Sequence, residues 1–385
     1  MRAARVAQTR TASSRRSPPR RVSRGRPARA VRGSQPRPRA SAAPSDVGFA
    51  QMAEPDGARA VSPGPPAAKL SAKERFVVHT LSGYKIEGVS VGGQETCIVL
   101  PQLKLAFDSG RCPQRCVYAD TMCLSHTHMD HVGGVGFYIA TRSLLSLPPP
   151  TVLLPASRAV AFAAFVDAAR ALDGSDMPHE AVGMEPADAP EAPTEEGAGA
   201  VPSTREHRVS KRHAIRAFAT THPVPSQGYV VYGTKEKLKP EFIGRSASEL
   251  KALKAHGVEI VDVVSVPEVA FTGDTTVDWV DRATGRAGDG DGVVDAVAAD
   301  ALRARLLICE CTFVDDRCSA ADARKYGHTH VDDLAARADA FRDVGAVLLI
   351  HFSARYKAEE VREALATRLP EALKAKVTPM LEGFG

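Results

Sequence analysis

Within the first 45 residues there is no lysine and no acidic side chain, while thirteen arginines are spread among serine, alanine and proline. Without that segment the chain holds 37 basic against 45 acidic residues, so the formal charge of +5 belongs to the tail and the body is net negative. The tail also lacks the apolar stretch of a secretory signal, which argues against export. Nowhere is there a run of about 18 apolar residues, so no helical membrane span and no membrane partner are expected. Cysteine is sparse and odd in number, seven, at 97, 112, 116, 123, 309, 311 and 318, which excludes a disulfide framework. Cys112 and Cys116 have the wrong spacing for a zinc knuckle, and Cys309 and Cys311 alternate about Glu310 as small buried residues do. Aromatic residues make up only 5%, but the aliphatic content is ordinary for an α/β core. No short fixed period recurs, which excludes a solenoid.

Against these absences one stretch is dense in chemistry. Leu124-Ser125-His126-Thr127-His128-Met129-Asp130-His131-Val132-Gly133-Gly134 packs three histidines and an aspartate into six positions. Imidazole nitrogen and carboxylate oxygen are ligands for divalent zinc, and such a site turns catalytic when a position stays open for water. The i, i+2 spacing of His126 and His128 after Met122-Cys123-Leu124 suits the end of a strand, where both point the same way. Gly133 and Gly134 let the backbone pack close behind the cluster.

The pattern along the chain alternates strands and helices. Strands are expected at 77–78, 86–91, 96–100 and 103–107, then near 151–154, 214–220, 228–232, 268–271, 306–310, 346–350 and around Val377. Helices are expected at 132–147, 157–172, 331–342 and 358–366. Between two of these strands, the loop His222-Pro223-Val224-Pro225 places a histidine poorly for core packing and well for a site. Low-complexity inserts lie near 185–206 and 284–295. Residues 233–256 hold Lys235, Lys237, Lys239, Arg245, Lys251 and Lys254 against three glutamates, a positive patch in a negative body. It reads either as a solvated helix face or as a short basic arm for a polyanion.

The stretch from His126 to His131 resembles the H-x-H-x-D-H motif of the metallo-β-lactamase superfamily. Thr221-His222, Phe271-Thr272-Gly273-Asp274-Thr275 and Leu349-Ile350-His351-Phe352 look like its remaining ligand motifs in order. The resemblance implies a four-layer αββα sandwich of the α/β class. It also implies two zinc ions per subunit, manganese being an alternative, with His126, His128 and His222 on one, Asp130, His131 and His351 on the other, and Asp274 between them. Asp108 would brace the metal loop. Within that superfamily the tRNase Z family is most similar, through Phe107-Asp108-Ser109-Gly110-Arg111-Cys112-Pro113, Ser226-Gln227-Gly228-Tyr229 and His351-Phe352-Ser353-Ala354-Arg355-Tyr356.

That likeness implies an endoribonuclease that removes the 3′ trailer of precursor tRNA by hydroxide attack next to the discriminator base, acting as a homodimer. Glu310-Cys311-Thr312-Phe313 and Gly327-His328-Thr329-His330 resemble the family's glutamate and H-S-T motifs, with His330 standing where threonine would be. By that resemblance His328 is the general acid at the departing oxygen, Glu310 orients it, and Asp130 doubles as a proton acceptor. Lys235, Lys237, Lys239 and Arg245 would form a reduced version of the family's tRNA-gripping arm. A small-molecule hydrolase of the same fold, such as a thioesterase, lactonase or cyclic-nucleotide phosphodiesterase, is the alternative. Residues 1–66 are expected to be a disordered organelle transit peptide plus linker, with the catalytic domain at 67–385. The many prolines favour the chloroplast over the mitochondrion.

Overall fold

The computed structural model describes residues 78–186, 202–286 and 294–384. The expected leader and linker at 1–66, and the centres of both low-complexity inserts, lie outside the described residues. Among the described residues the strands are, in order, β1 (Val78–Leu81), β2 (Tyr84–Gly92), β3 (Glu95–Leu100), β4 (Leu105–Phe107), β5 (Thr121–Cys123), β6 (Thr151–Pro155), β7 (Glu180–Met184) and β8 (Ser203–Thr204), then β9 (Glu206–Arg208), β10 (His213–Ala219), β11 (Gln227–Leu238), β12 (Val261–Phe271), β13 (Leu306–Glu310), β14 (Ala346–Ile350), β15 (Phe352–Ser353) and β16 (Val377–Pro379). The first eight run side by side in one sheet, which β15 joins by pairing with β2. The second sheet has the order β16-β14-β13-β12-β11-β10-β9.

Side-chain alternation decides how these sheets stack. On β11, Tyr229 and Val231 point one way and Val230 and Tyr232 the other, and both sets are buried. Tyr229, Val231, Ile215, Phe271, Ile308 and Ile350 meet Ile86, Ile98, Leu105, Phe107 and Leu153 of the first sheet in one core. The outer face of the second sheet is covered by α5 (Asp278–Thr284), α6 (Ala296–Ala301), α8 (Val331–Ala335) and α9 (Ala358–Arg368), with Trp279 fully buried there. On the far side of the first sheet, Cys97, Met122 and Val152 pack against α2 (Val135–Leu144) and α3 (Ala159–Asp173). Helix, sheet, sheet, helix is the expected four-layer αββα sandwich.

Two aromatic residues pin the layers beneath the expected site. Phe107 at the end of β4 stacks on Phe271 at the end of β12, with centroids 4.6 Å apart and planes 14° from parallel. Such a pair adds roughly 0.5–1.5 kcal/mol beyond the burial of its area. Asp108 follows the first ring and Thr272-Gly273-Asp274 the second, so this contact sets the separation of two site loops.

Several expected boundaries are corrected. The helix expected at 132–147 is split into α1 (Met129–Val132) and α2, and that expected at 331–342 stops at Ala335, before a 3-10 turn at Ala338–Phe341. There the Arg337 guanidinium turns away to make two bonds to the Asp281 carboxylate, at 2.8 and 2.6 Å. The insert near 185–206 is shorter than expected, because Ser203–Thr204 pairs with β7. The strands expected at 228–232 and 268–271 run much further, as β11 and β12. Their antiparallel register continues from Tyr229↔Phe271 out to Leu238↔Val261, so the basic arm is a two-stranded ribbon. Between them lie a 3-10 turn at Pro240–Phe242 and α4 (Ala247–Ala255), the latter started by a Ser246/Glu249 capping box.

Candidate metal centre

The site lies where strands end. β4 delivers Asp108, β5 the His126 loop, β10 His222, β12 Asp274, β13 Glu310 and β14 His351. β4 and β5 are parallel, as are β12, β13 and β14, so their carboxyl ends meet at one edge of the sandwich. Backbone bonds tie the loops together: Ser109 N–H donates to the His131 carbonyl at 2.7 Å, Gln227 N–H to Ser125 at 3.0 Å and Thr276 N–H to Thr221 at 3.0 Å. Close approach dictates glycine at two points. A Cβ on Gly110 would lie 1.9 Å from the Asp130 carbonyl oxygen, and Gly273, at φ +60°, would put one 2.3 Å from Ser125 Cβ.

Nitrogens converge in a way that hydrogen bonding alone does not explain. His128 Nδ1 lies 3.1 Å from His126 Nε2 and 3.1 Å from His222 Nε2, and His131 Nε2 lies 3.3 Å from His351 Nε2. Asp274 Oδ2 is 3.2 Å from His131, 3.3 Å from His351 and 3.8 Å from His126. Its Oδ1 is buried with no hydrogen-bond partner. Asp130 Oδ2 lies 3.7 Å from His131 and 3.8 Å from His351. Zinc–nitrogen bonds of about 2.0–2.1 Å in a tetrahedron put ligands about 3.3 Å apart, so these spacings suit shared cations. His126, His128 and His222 form one group that could hold a metal, Asp130, His131 and His351 another, and Asp274 lies close to members of both.

The opposite nitrogen of four rings fixes the tautomer. His131 Nδ1 donates to Asp108 Oδ2 at 2.8 Å and His222 Nδ1 to the Gly327 carbonyl at 2.8 Å. The Ser125 hydroxyl donates to Asp108, so it accepts from His126 Nδ1 at 3.0 Å. The Thr312 hydroxyl donates to Glu310, so it accepts from His351 Nδ1 at 3.0 Å. Each arrangement leaves an Nε2 lone pair for a metal. Burial first, then neighbouring imidazoles, keep His126 and His128 below the ordinary histidine range. Burial likewise lowers His222, with Asp274 opposing it. At Asp130 burial raises the carboxyl, but His351 and His131 outweigh it and hold the group below its usual range. Such a carboxylate is a good ligand and a weak base.

His328 stands beside this cluster on different terms. Its Nδ1 donates to Glu310 Oε1 at 3.0 Å, and Glu310, fully buried, also accepts from the Thr275 and Thr312 amides at 2.9 and 3.0 Å. Burial alone would lower the imidazole; the Glu310 carboxylate, by charge and hydrogen bond, overrides it and pushes the pKa up to about 9. It also lies within ligating reach of Asp274 and His351, but its bond to Glu310 sets it apart as a group able to donate a proton.

The chain is 43% identical to tRNase Z TRZ1 of Arabidopsis thaliana over 304 residues, covering 79% of this chain and 97% of that protein. It belongs to the tRNase Z family. A second Arabidopsis thaliana relative, tRNase Z TRZ2, chloroplastic, is 38% identical over 79% of this chain and 77% of that protein. The solved short form of human tRNase Z aligns with 76% of this chain and 93% of its own at 18% identity, with a TM-score of 0.46. No family model matches the chain.

Against the tRNase Z motifs, the departure at His330 has a local explanation. His330 Nδ1 accepts from the Asp332 amide at 3.1 Å, capping α8 as a threonine hydroxyl does. Its Nε2 donates to the Asp315 carbonyl at 3.1 Å. Ser125 and Thr312 lie within the motifs, and the structure makes them the hydroxyl relays behind His126 and His351. The basic residues lie away from the centre. Lys235 and Lys237 are exposed on the β11 ribbon, Lys239 is 3.8 Å from Glu259, and Arg245 lies over the Phe242 ring at 5.9 Å.

Proposed function

We propose that this tRNase Z family member is a zinc-dependent endoribonuclease that removes the 3′ trailer of precursor tRNA. It cuts beside the discriminator nucleotide and leaves a tRNA 3′-hydroxyl and a 5′-phosphorylated trailer. The observation that carries this reading is the pairing of seven residues able to hold metal with an imidazole, beside them, that is hydrogen-bonded to a buried carboxylate. His126, His128, His222, Asp130, His131, His351 and Asp274 would hold two divalent cations, and an imidazole-rich set suits zinc, with manganese as the alternative. When bound, two such ions supply a nucleophile from water at neutral pH and neutralise phosphate charge. His328 gives its proton to the departing 3′ oxygen, and Glu310 keeps that proton on the ring until then. A cavity of about 520 Å³ beside His222, lined also by Ser157, Met184, Thr221 and Pro223, gives the RNA end room. The β11–β12 ribbon contacts the phosphates of the tRNA body through Lys235, Lys237, Lys239 and Arg245.

The chain acts as a homodimer in this reading; exposed Phe137 and Leu144, seven apart on α2, give a second copy an apolar surface, and sedimentation tests it. The acid-free, arginine-rich segment 1–45 supports delivery to the chloroplast, which a fluorescent fusion of residues 1–66 tests. The central experiment is cleavage of a 3′-extended precursor tRNA with and without chelator, beside Asp274→Ala. One metal-dependent cut next to the discriminator, absent in the variant, is expected. Thioester or lactone hydrolysis without RNA cleavage would overturn the reading.

A further inference from the structure

A second basic element stands beside the ribbon. Between Arg205 and Arg216 the chain carries Arg205, Arg208, Lys211, Arg212 and Arg216 against one acid, Glu206. This is the β9–β10 hairpin, whose register pairs Ala214 with Arg208 and Arg216 with Glu206. Arg216 is neutralised by Glu206, with Nη2 2.7 Å from the carboxylate. Arg208, Lys211 and Arg212 are exposed, and none of the three is ion-paired to another described residue. Charges presented to water without a partner keep their full field for a ligand.

The tip that carries them is ordered. Ser210 Oγ accepts from the Arg212 and His213 amides at 3.1 and 3.0 Å, and the Val209 and Ser210 amides both donate to the His213 carbonyl. The Arg212 carbonyl in turn accepts from the Thr234 amide at 2.9 Å and its hydroxyl at 3.1 Å. Thr234 immediately precedes Lys235, so the hairpin tip is bonded to the root of the ribbon and the two basic elements are continuous. β10 leads from this tip to the metal centre. β10 itself, His213–Ala219, is seven residues long, roughly 23 Å at strand rise, and His222 lies beyond its end. A ligand touching both ends must be an extended polyanion; a lactone or a dinucleotide is too short.

We propose that the β9–β10 hairpin, through Arg208, Lys211 and Arg212, is a phosphate-backbone contact for the RNA substrate, separate from the ribbon and fixed to it. This rests on the precursor-tRNA reading of the metal centre. The test is equilibrium binding of a precursor tRNA with a methylphosphonate at the scissile link to the full metal-loaded chain across salt concentrations. Wild type is compared with the triple variant Arg208→Ala, Lys211→Ala, Arg212→Ala and with Arg208→Glu, Lys211→Glu.

Three lost phosphate contacts are expected to flatten the slope of log K against log salt by about 2–3 and to weaken binding roughly tenfold or more at physiological salt. The charge-reversed variant should bind more weakly still. Hydrolysis of bis(p-nitrophenyl) phosphate, which does not reach the hairpin, should stay at wild-type rate and so report an intact fold. Unchanged affinity and slope in the triple variant overturn the hairpin assignment, while cleavage of natural precursor by wild type would leave the enzyme reading standing. Salt-dependent binding lost in the variant, with no cleavage by wild type, would do the reverse. Absence of any tRNA binding by wild type overturns both.

Discussion

In the proposed reaction His328 and Glu310 form the pair whose protonation sets the chemistry. The folded-state pKa of His328 lies above the ordinary imidazole value, at about 9, so the proton is held below that pH and lost as pH rises through it. Cations bound beside Asp274 lower that limit, and Glu310→Gln, which removes the opposing charge, lowers it further. The alkaline limb of the kcat profile on precursor tRNA is therefore expected to move toward neutrality in Glu310→Gln. An unmoved limb would detach Glu310 from the acid. His328→Ala should reduce kcat on precursor tRNA by roughly 10²–10⁴-fold with little change in KM. It should barely affect bis(p-nitrophenyl) phosphate, whose leaving group needs no proton.

Asp108 acts one bond further out, accepting from His131 and from both the amide and hydroxyl of Ser125 at 2.7–2.8 Å. Its φ of +56° is one that asparagine also tolerates. Asp108→Asn should therefore keep the fold yet weaken metal affinity about 10–100-fold, measured by competition with a chelator. The seven ligand candidates were legible because they sit in four short motifs. Ser125 and Thr312 were not, because a hydroxyl acquires its role only from what two distant strands bring to either side of it.

At the scale of elements, the same limit explains what the sequence hid. Lys235-Glu236-Lys237 read either as a charged helical face or as part of a short basic arm, and in the structure Lys237 stands opposite Asp262 and Lys235 opposite Val264 across the ribbon. Cross-strand charge pairing and the β-branched Val261, Val263 and Val264 stabilise a strand there, and only the partner strand makes this visible. Helix α8 is the converse case, periodic enough to read through Arg342 but giving way after Ala335 to 3-10 bonding, in which the Arg337 amide donates to the Leu334 carbonyl. Its start depends on His330, which is almost fully buried and both caps the helix and satisfies the Asp315 carbonyl. His330→Ala should lower unfolding free energy by about 1–3 kcal/mol, from the lost cap and an unpartnered carbonyl. His330→Thr, which restores the cap alone, should recover part of it in urea titration. Equal stability of all three proteins would remove the capping account of this departure.

On the whole molecule, a metal held at this centre would work as a clasp. Four of its ligands, His126, His128, Asp130 and His131, follow β5 of the first sheet, while His222, Asp274 and His351 follow β10, β12 and β14 of the second. Cations held by both groups would join the two sheets at the edge where the Phe107–Phe271 stack already sets their spacing. Binding to the folded state alone stabilises it by about 2.7 kcal/mol at a free metal concentration a hundredfold above Kd. Zinc is therefore expected to raise the Tm of the chelated protein, and Asp274→Ala, which removes the carboxylate between the two ligand groups, should lose most of that rise. The rise should also shrink with acidity. Burial opposes the charge on His131, but Asp274 and Asp108 outweigh it and hold the ring well above its ordinary pKa, so metal must displace a proton there and binds more weakly as pH falls. Calorimetry at two pH values with and without zinc measures both effects. A metal-induced shift that is equal in Asp274→Ala would mean that the cations bind to one sheet only and join nothing.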